Sequence, residues 1–222
     1  MSFNIAIDGP SGAGKSSVSK AVSKKLGFIY VDTGALYRTV GLYIYNNGID
    51  PDNTQSVISA LDKISVKFDY INGEQHVFLN DTDVTEEIRM HAISEYASKV
   101  SAITKVREFL LFMQRDIASK NNVLMDGRDI GTVVLPDAQL KIFLTASAEV
   151  RAKRRCDELI QKGQEVDFNT VLNDIIERDK RDTERKIAPL KIAENAVVVD
   201  TSECTFDESV DIICNLVKES LK

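Results

Sequence analysis

Short apolar runs alternate with amphipathic segments along most of the chain, as expected when strands alternate with helices. Apolar and β-branched residues dominate five short runs, at 3–7, 28–31, 122–125, 140–144 and 196–199. Runs of this kind are typical of parallel strands with both faces covered. Apolar residues also recur at spacings of three and four in 103–117 and 206–221, which predicts helices there. The pattern therefore predicts an α/β fold, with a parallel sheet core covered by helices.

The segment 64–84 breaks this alternation. Apolar and polar residues alternate from 66 to 70, and an Asn-Gly pair of the kind found in tight hairpin turns follows before a second apolar run. We therefore expect an antiparallel insertion, which forms a small β plus helix subdomain with the residues up to 101.

Composition and charge argue against several classes of function. The 222 residues are 43% hydrophobic, and 34 acidic against 28 basic side chains give a net charge of -6 and a pI near 5.1. This balance argues against broad electrostatic binding of nucleic acid. Three cysteines without a CxxC pair and only two histidines argue against a disulfide framework or a zinc site. Since no segment reads as a targeting signal or membrane span, we expect a cytoplasmic protein that binds no membrane.

The first predicted strand leads into a glycine-rich segment, DGPSGAGKSS at 8–17. Its glycines, lysine and serine satisfy the pattern GxxxxGK[ST], and a helix is predicted at 17–26. In such a loop the backbone N–H groups and the helix amino terminus bind phosphates, the lysine reaches the outer phosphates, and the serine hydroxyl helps to hold Mg²⁺. A glycine-rich turn alone would not explain the lysine and serine together. The residues expected to bind ATP here are Gly9, Pro10, Ser11, Gly12, Ala13, Gly14, Lys15, Ser16 and Ser17.

A polar cluster follows the second predicted strand, in VDTGALYR at 31–38. Ligands of open α/β sheets bind at the carboxyl ends of strands, where this segment lies. Thr33 is the expected N-cap of a helix, and Tyr37 and Arg38 lie one turn along it. An arginine at this place could bind a phosphate, although a solvated arginine beside a core tyrosine is the alternative.

A second polar cluster follows the third predicted strand, in LMDGRDIGTVVLPDA at 124–138. Asp126 ends the apolar run, where a carboxylate would face Mg²⁺ or a ligand. Arg128 and Asp129 could form an ion pair within the turn, but a polar cluster just beyond a buried strand favours ligand binding.

Arginines are concentrated in a predicted helical hairpin, whose tip is marked by a glycine within 157–169. They are Arg151, Arg154 and Arg155 before the tip, and Arg178, Arg181 and Arg185, with Asp182, after it. A salt-bridged surface is the alternative. In an acidic protein, however, so many arginines favour a helical lid that closes over phosphates and excludes water.

The residue types also bear on the phosphoryl acceptor. Transfer to a hydroxyl usually employs a general base, whereas a phosphate oxygen is already anionic at neutral pH. Neither His76 nor His91 lies in a motif that would make it such a base. The arginine clusters therefore favour a second phosphate compound as the acceptor.

Four motifs, IDGPSGAGKSS, DTGALYR, DGRDIGTVVLPDA and ERDKRDTERKIAPL, together resemble those of the bacterial cytidylate kinases. The resemblance extends from the first strand to AVVVDTS at 196–202. It implies a P-loop NTPase type of fold and transfer of the γ-phosphoryl group of ATP, with Mg²⁺, to CMP or dCMP. The implied parts are a core at 1–63, 102–150 and 186–222, a monophosphate-binding insert at 64–101 and a lid at 151–185.

The resemblance also implies roles for single residues. We expect Lys15, Arg128, Arg178 and Arg185 to stabilise charge on the transferring group, and Arg154 to bind ATP. Asp129 would lie near the cytosine amino group, Ser98 and Arg107 at the base, and Asp182 at a ribose hydroxyl. The full set of implied acceptor contacts is Thr33, Tyr37, Arg38, Ser98, Arg107, Asp126, Arg128, Asp129, Arg178, Asp182 and Arg185.

Two alternatives stay open on the sequence. One is a kinase of the same architecture for UMP, AMP or a hydroxyl substrate such as shikimate; the other is a nucleotide switch or nucleic-acid-associated ATPase. A carboxylate at Asp129 favours cytosine, whose amino group donates where uracil accepts. The acidic balance and the arginines argue against the ATPase. We expect a monomer whose partners are ATP and CMP or dCMP, with no nucleic acid.

Overall fold

The computed structural model describes residues 2–161 and 163–221, which fall into two units. Unit 1 comprises the described residues of 1–30 and 121–222, and unit 2 comprises 31–120. These boundaries differ from the division into core, insert and lid expected from the sequence, which stays a prediction.

Eight strands and eight α-helices make up the described chain. The strands are β1 (Asn4–Asp8), β2 (Ile29–Asp32), β3 (Val66–Ile71), β4 (Glu74–Leu79), β5 (Thr82–Asp83), β6 (Val123–Gly127), β7 (Leu140–Thr145) and β8 (Val197–Asp200). The helices are α1 (Lys15–Leu26), α2 (Thr33–Asn46), α3 (Thr54–Leu61), α4 (His91–Val100), α5 (Thr104–Lys120), α6 (Ala148–Gln161), α7 (Phe168–Glu184) and α8 (Phe206–Ser220). A 3-10 turn at Glu87–Arg89 and a short π-helix at Ile130–Val134 complete the list.

A five-stranded sheet with the order β2-β6-β1-β7-β8 is the framework of unit 1, to which the first two residues of β2 belong. Strand β1 pairs in parallel with β6 and β7, and β7 pairs in parallel with β8. In the core, Ile5 and Ile7 of β1 pack with Val18 of α1 and Val210 of α8. The five predicted strands and the predicted α/β class are confirmed. Because these strands are parallel, the segments that follow β1, β6 and β7 leave the sheet at one edge.

Unit 2 contains a three-stranded antiparallel sheet with the order β3-β4-β5. Asn72 and Gly73 form its hairpin turn, with φ angles of 54° and 79°, so the predicted insertion is confirmed. The core of this unit includes Leu36, Val57 and Ile93, from α2, α3 and α4. Helix α3 was not expected from the sequence.

The predicted helical hairpin is formed by α6 and α7 in unit 1, and Gly163 lies between them with a φ of 75°. Asp167 caps α7 by accepting a hydrogen bond from the Thr170 amide. Closure of this hairpin over phosphates stays a prediction. Across the described residues, no helix combines the length and apolar character needed to cross a membrane.

Gly41 of α2 lies where α2 packs closely against α4. A Cβ atom at this position would lie 2.9 Å from the Ala97 backbone nitrogen and 3.3 Å from the Tyr96 carbonyl carbon. Alanine normally stabilises a helix interior by about 1 kcal/mol relative to glycine. Because α4 would have to shift, we expect Gly41→Ala instead to lower the free energy of unfolding by about 1–3 kcal/mol, measured by urea denaturation.

The control for this substitution is Asn46→Ala, at the exposed end of the same helix. It should change the unfolding free energy by no more than about 0.5 kcal/mol. Stabilisation by Gly41→Ala would contradict the packing described above.

Candidate active site

The glycine-rich segment forms the turn between β1 and α1. Gly9 and Gly12 have φ angles of 150° and 76°, and a Cβ atom at Gly9 would lie only 1.9 Å from the Leu144 carbonyl oxygen of β7. Glycine is therefore required at Gly9 by close approach as well as by backbone conformation. The N-cap of α1 is Gly14, whose lack of a side chain means that it cannot cap the first amides of the helix. A helix amino terminus of this kind is suited to bind a phosphate.

Lys15 is the first residue of α1, and its ammonium group is buried within the turn. Its Nζ donates a hydrogen bond to the Pro10 carbonyl oxygen at 2.7 Å. Burial and the nearby charge of Arg128 together lower the pKa of Lys15 to about 7, against the opposing charges of Asp126 and Asp8. Additional negative charge, such as that of bound phosphates, would restore the ordinary protonation of this lysine.

The hydroxyl of Ser16 and the carboxylate of Asp126 meet at the end of β6. Ser16 Oγ donates to Asp126 Oδ2 at 2.8 Å, and the Tyr30 hydroxyl donates to Oδ1 at 3.3 Å. A hydroxyl and a carboxylate are hard oxygen ligands, which fit Mg²⁺. Within the described chain, no cluster of three or more His, Cys, Asp or Glu side chains could hold a metal by itself. A magnesium ion here would therefore take further ligands from a nucleotide and from water.

The turn that follows β6 is held by a carboxylate of β1. Asp8 accepts from the Ile130 amide at 2.7 Å and from the Gly131 amide at 2.8 Å, one to each oxygen. Burial raises the pKa of Asp8 from its ordinary value of 3.8 to about 6, against the two amides, which lower it. The charge of Asp129 contributes to the same rise in pKa. Asp8 was not among the expected site residues.

Two ion pairs connect this turn with the end of α7. Arg128 Nε donates to Asp182 Oδ2 at 2.8 Å, and an Arg185 terminal nitrogen lies 3.4 Å from Asp129 Oδ1. Burial acts to raise the pKa of Asp182, but the charges of Arg128, Arg178 and Arg185 outweigh it, so the pKa is lowered. Two predicted site residues of the turn are thus in direct contact with two predicted site residues at the end of α7.

The arginines of α6 have different partners. Arg151 is buried, pairs with Asp179 of α7 at 2.7 Å and donates to the Ser11 carbonyl of the phosphate loop at 3.1 Å. Arg154 donates to the Thr201 carbonyl at 2.7 Å and lies beside Gly14 of the loop. Arg151 therefore joins α6, α7 and the loop.

Apart from Arg178, which lies in α7 of unit 1, the remaining predicted acceptor residues lie in unit 2. Arg38 pairs with Asp32 at 2.7 Å, and the same carboxylate accepts from the Ala35 amide. Asp32, and not Thr33, is therefore the N-cap of α2, so the prediction of Thr33 as the N-cap was wrong. Thr33 is instead the first, buried residue of the helix.

A second contact in unit 2 joins α2 to α5. The Arg107 guanidinium lies 5.4 Å from the centroid of the Tyr37 ring and donates to the Ser101 carbonyl at 3.1 Å. Ser101 in turn donates to the Ser98 carbonyl. The structure therefore brings Tyr37, Ser98 and Arg107, all predicted from sequence, into one cluster.

Two residues of interest were missed from the sequence. The pattern Asp-Thr-Gly after a strand could have indicated Asp32 as a cap, since aspartate is as favourable there as threonine or better. No local signal indicates Asp8, because its partners lie 122 and 123 residues further along the chain.

Residues 5–219 match the family model described as Cytidylate kinase. The chain belongs to the cytidylate kinase family. Among curated relatives named cytidylate kinase, that of Caldicellulosiruptor saccharolyticus is 50% identical over 214 residues, covering 96% of this chain and 95% of the relative. That of Caldicellulosiruptor bescii is 48% identical and that of Clostridium botulinum 47% identical, each covering 99% of this chain and at least 97% of the relative.

A solved structure from Eubacterium ventriosum, described as an uncharacterized protein, has a TM-score of 0.53 against this chain. It is 13% identical and covers 97% of this chain and 98% of that one. At this identity the likeness concerns the fold alone.

The raised pKa of Asp8 predicts a pH-dependent stability. Between the unfolded pKa near 4 and the folded value of about 6, the folded protein binds a proton that the unfolded chain does not. Asp8 therefore makes the protein less stable as the pH rises through this window, by about 2–3 kcal/mol in total. We expect Asp8→Asn to remove this decline, measured by urea denaturation between pH 4.5 and 7.5.

The slope of unfolding free energy against pH is compared between the two proteins, because a pH-independent loss of stability caused by the asparagine does not change this slope. Parallel curves of unfolding free energy against pH for the two proteins would contradict the burial of an ionisable Asp8.

Proposed function

We propose that the protein transfers the γ-phosphoryl group of ATP to CMP or dCMP, producing ADP and CDP or dCDP. The observation that carries the proposal is the grouping of Lys15, Ser16 and Asp126 around a glycine-rich phosphate loop, in a chain of the cytidylate kinase family. Family membership supports the choice of a cytidine acceptor over water.

The loop supplies the donor half of the proposed reaction. The backbone N–H groups of the loop and of the α1 amino terminus bind the ATP phosphates. Lys15 exchanges its bond to the Pro10 carbonyl for the outer phosphates and stabilises charge there. Arg154, beside Gly14, is placed to support the same phosphates.

Ser16 and Asp126 are the residues that would hold Mg²⁺ with the nucleotide, Ser16 through its hydroxyl and Asp126 through its carboxylate. When bound, the metal would neutralise charge on the β- and γ-phosphate oxygens and orient them.

The arginines around the β6 turn suit an anionic acceptor. Arg128 and Arg185 are held by Asp182 and Asp129, so both guanidinium groups are already oriented without a ligand. An arginine fork matches the oxygens of a phosphate, and it can hold two anions together that otherwise repel. The acceptor roles of Arg178 and of Tyr37, Arg38, Ser98 and Arg107 are part of this proposal.

No general base is required by this chemistry. A phosphate oxygen of the acceptor is anionic at neutral pH and attacks the γ-phosphorus in line with the departing ADP oxygen. The protein contributes position and charge, and no covalent enzyme intermediate is formed.

The test is to incubate the protein with ATP, Mg²⁺ and single nucleoside monophosphates, and to follow ADP. We expect release that depends on CMP or dCMP, with much lower rates for UMP and AMP. Lys15→Ala should lower kcat by at least about 100-fold, because a charge-stabilising donor is lost. Lys24→Ala, an exposed lysine of the same helix, should retain wild-type activity. The proposal would be overturned if the rate of ADP release were the same with and without CMP or dCMP.

A further inference from the structure

Asp8 occupies an unusual place for a carboxylate. It is the last residue of β1, only 3% of its surface is exposed, and both oxygens accept from consecutive amides of the turn after β6. Burying a carboxylate is costly unless hydrogen bonds compensate it, so the amides of Ile130 and Gly131 are tightly coupled to this side chain.

The turn that Asp8 holds begins at Asp129. Asp129 is the N-cap of the π-helix Ile130–Val134, and an aspartate in that position usually accepts from the amides of its own first turn. Here its side chain makes no such capping bond. Asp8 accepts from the first two amides instead, and the Asp129 carboxylate lies beside Arg185.

We propose that Asp8 is a positioning residue for Asp129. By capping the π-helix from β1, it keeps the Asp129 carboxylate away from its own turn and next to Arg185, and in this way it sets the selectivity for the acceptor base. This inference rests on the proposed function, together with the contact between Asp129 and the cytosine amino group that the family resemblance implies.

Chemistry explains why an aspartate is needed at this place. Each of its two oxygens accepts from one amide. An asparagine of the same shape offers one acceptor and one amino group, so one amide of the turn would face a second donor. Asp129 is then the neighbouring carboxylate that can accept from that amide, which would withdraw it from Arg185.

The test measures kcat/KM for CMP and for UMP, together with KM for ATP, in four proteins: wild type, Asp8→Asn, Asp129→Asn and the double variant. We expect Asp8→Asn to lower the CMP-to-UMP ratio by roughly tenfold, equivalent to about 1.4 kcal/mol. KM for ATP reports separately the effect of the lost Asp8 charge on Lys15. The double variant should have a ratio within about twofold of that of Asp129→Asn alone, because Asp8 affects selectivity only by positioning Asp129. Asp211→Asn, an exposed aspartate of α8, is the control and should retain the wild-type ratio.

A ratio is independent of the fraction of active enzyme, so a general loss of folding does not imitate the expected result. If Asp8→Asn does not fold, as judged by circular dichroism, Asp8→Ser replaces it in the same cycle. The inference would be overturned if Asp8→Asn left the ratio unchanged, or if it lowered the ratio equally in the wild-type and Asp129→Asn backgrounds. Either result would leave the proposed function intact. A wild-type protein that does not favour CMP would overturn both.

Discussion

The burial of charge at the carboxyl edge of the parallel sheet is the constraint on which the site depends. Ionised groups leave water at a cost of several kcal/mol each unless partners compensate them. Among the buried ionisable residues at this edge are Asp8, Lys15, Asp126, Asp129 and Asp182, each with at most 6% of its surface exposed. Their partners dictate the local geometry: main-chain amides fix Asp8, a serine hydroxyl contacts Asp126, and arginines hold the other two carboxylates.

Lys15 is the group in which this compensation is least complete. A carbonyl oxygen is its hydrogen-bond acceptor, and the lowered pKa shows that burial outweighs the carboxylates around it. Bound phosphates would supply negative charge beside this buried amine. Binding of the donor nucleotide and protonation of Lys15 are therefore linked.

Local patterns in the sequence were sufficient to predict the strands, the Asn-Gly hairpin and the phosphate loop, because each is determined by residues close together in the chain. Helix α3 was not predicted, and the capping of α2 was assigned to Thr33 although Asp32 makes the bond. Arg128 pairs with Asp182, which lies 54 positions further along the chain. Asp8 accepts a hydrogen bond from the amide of Ile130, 122 positions further along. Such contacts depend on the parallel order of β1 and β6 and on the return of α7, which spacing along the chain does not encode.

The linkage at Lys15 gives the most direct test of this account. Calorimetric titration with a non-hydrolysable ATP analogue and excess Mg²⁺, at pH 8 in buffers of different ionisation enthalpy, reports the protons taken up on binding. Because a lysine with a pKa of about 7 is mostly neutral at pH 8, we expect uptake of about one proton. Lys15→Met should take up correspondingly less. Binding without proton uptake by the wild type would contradict the account, since Lys15 would then already carry its charge in the unliganded site.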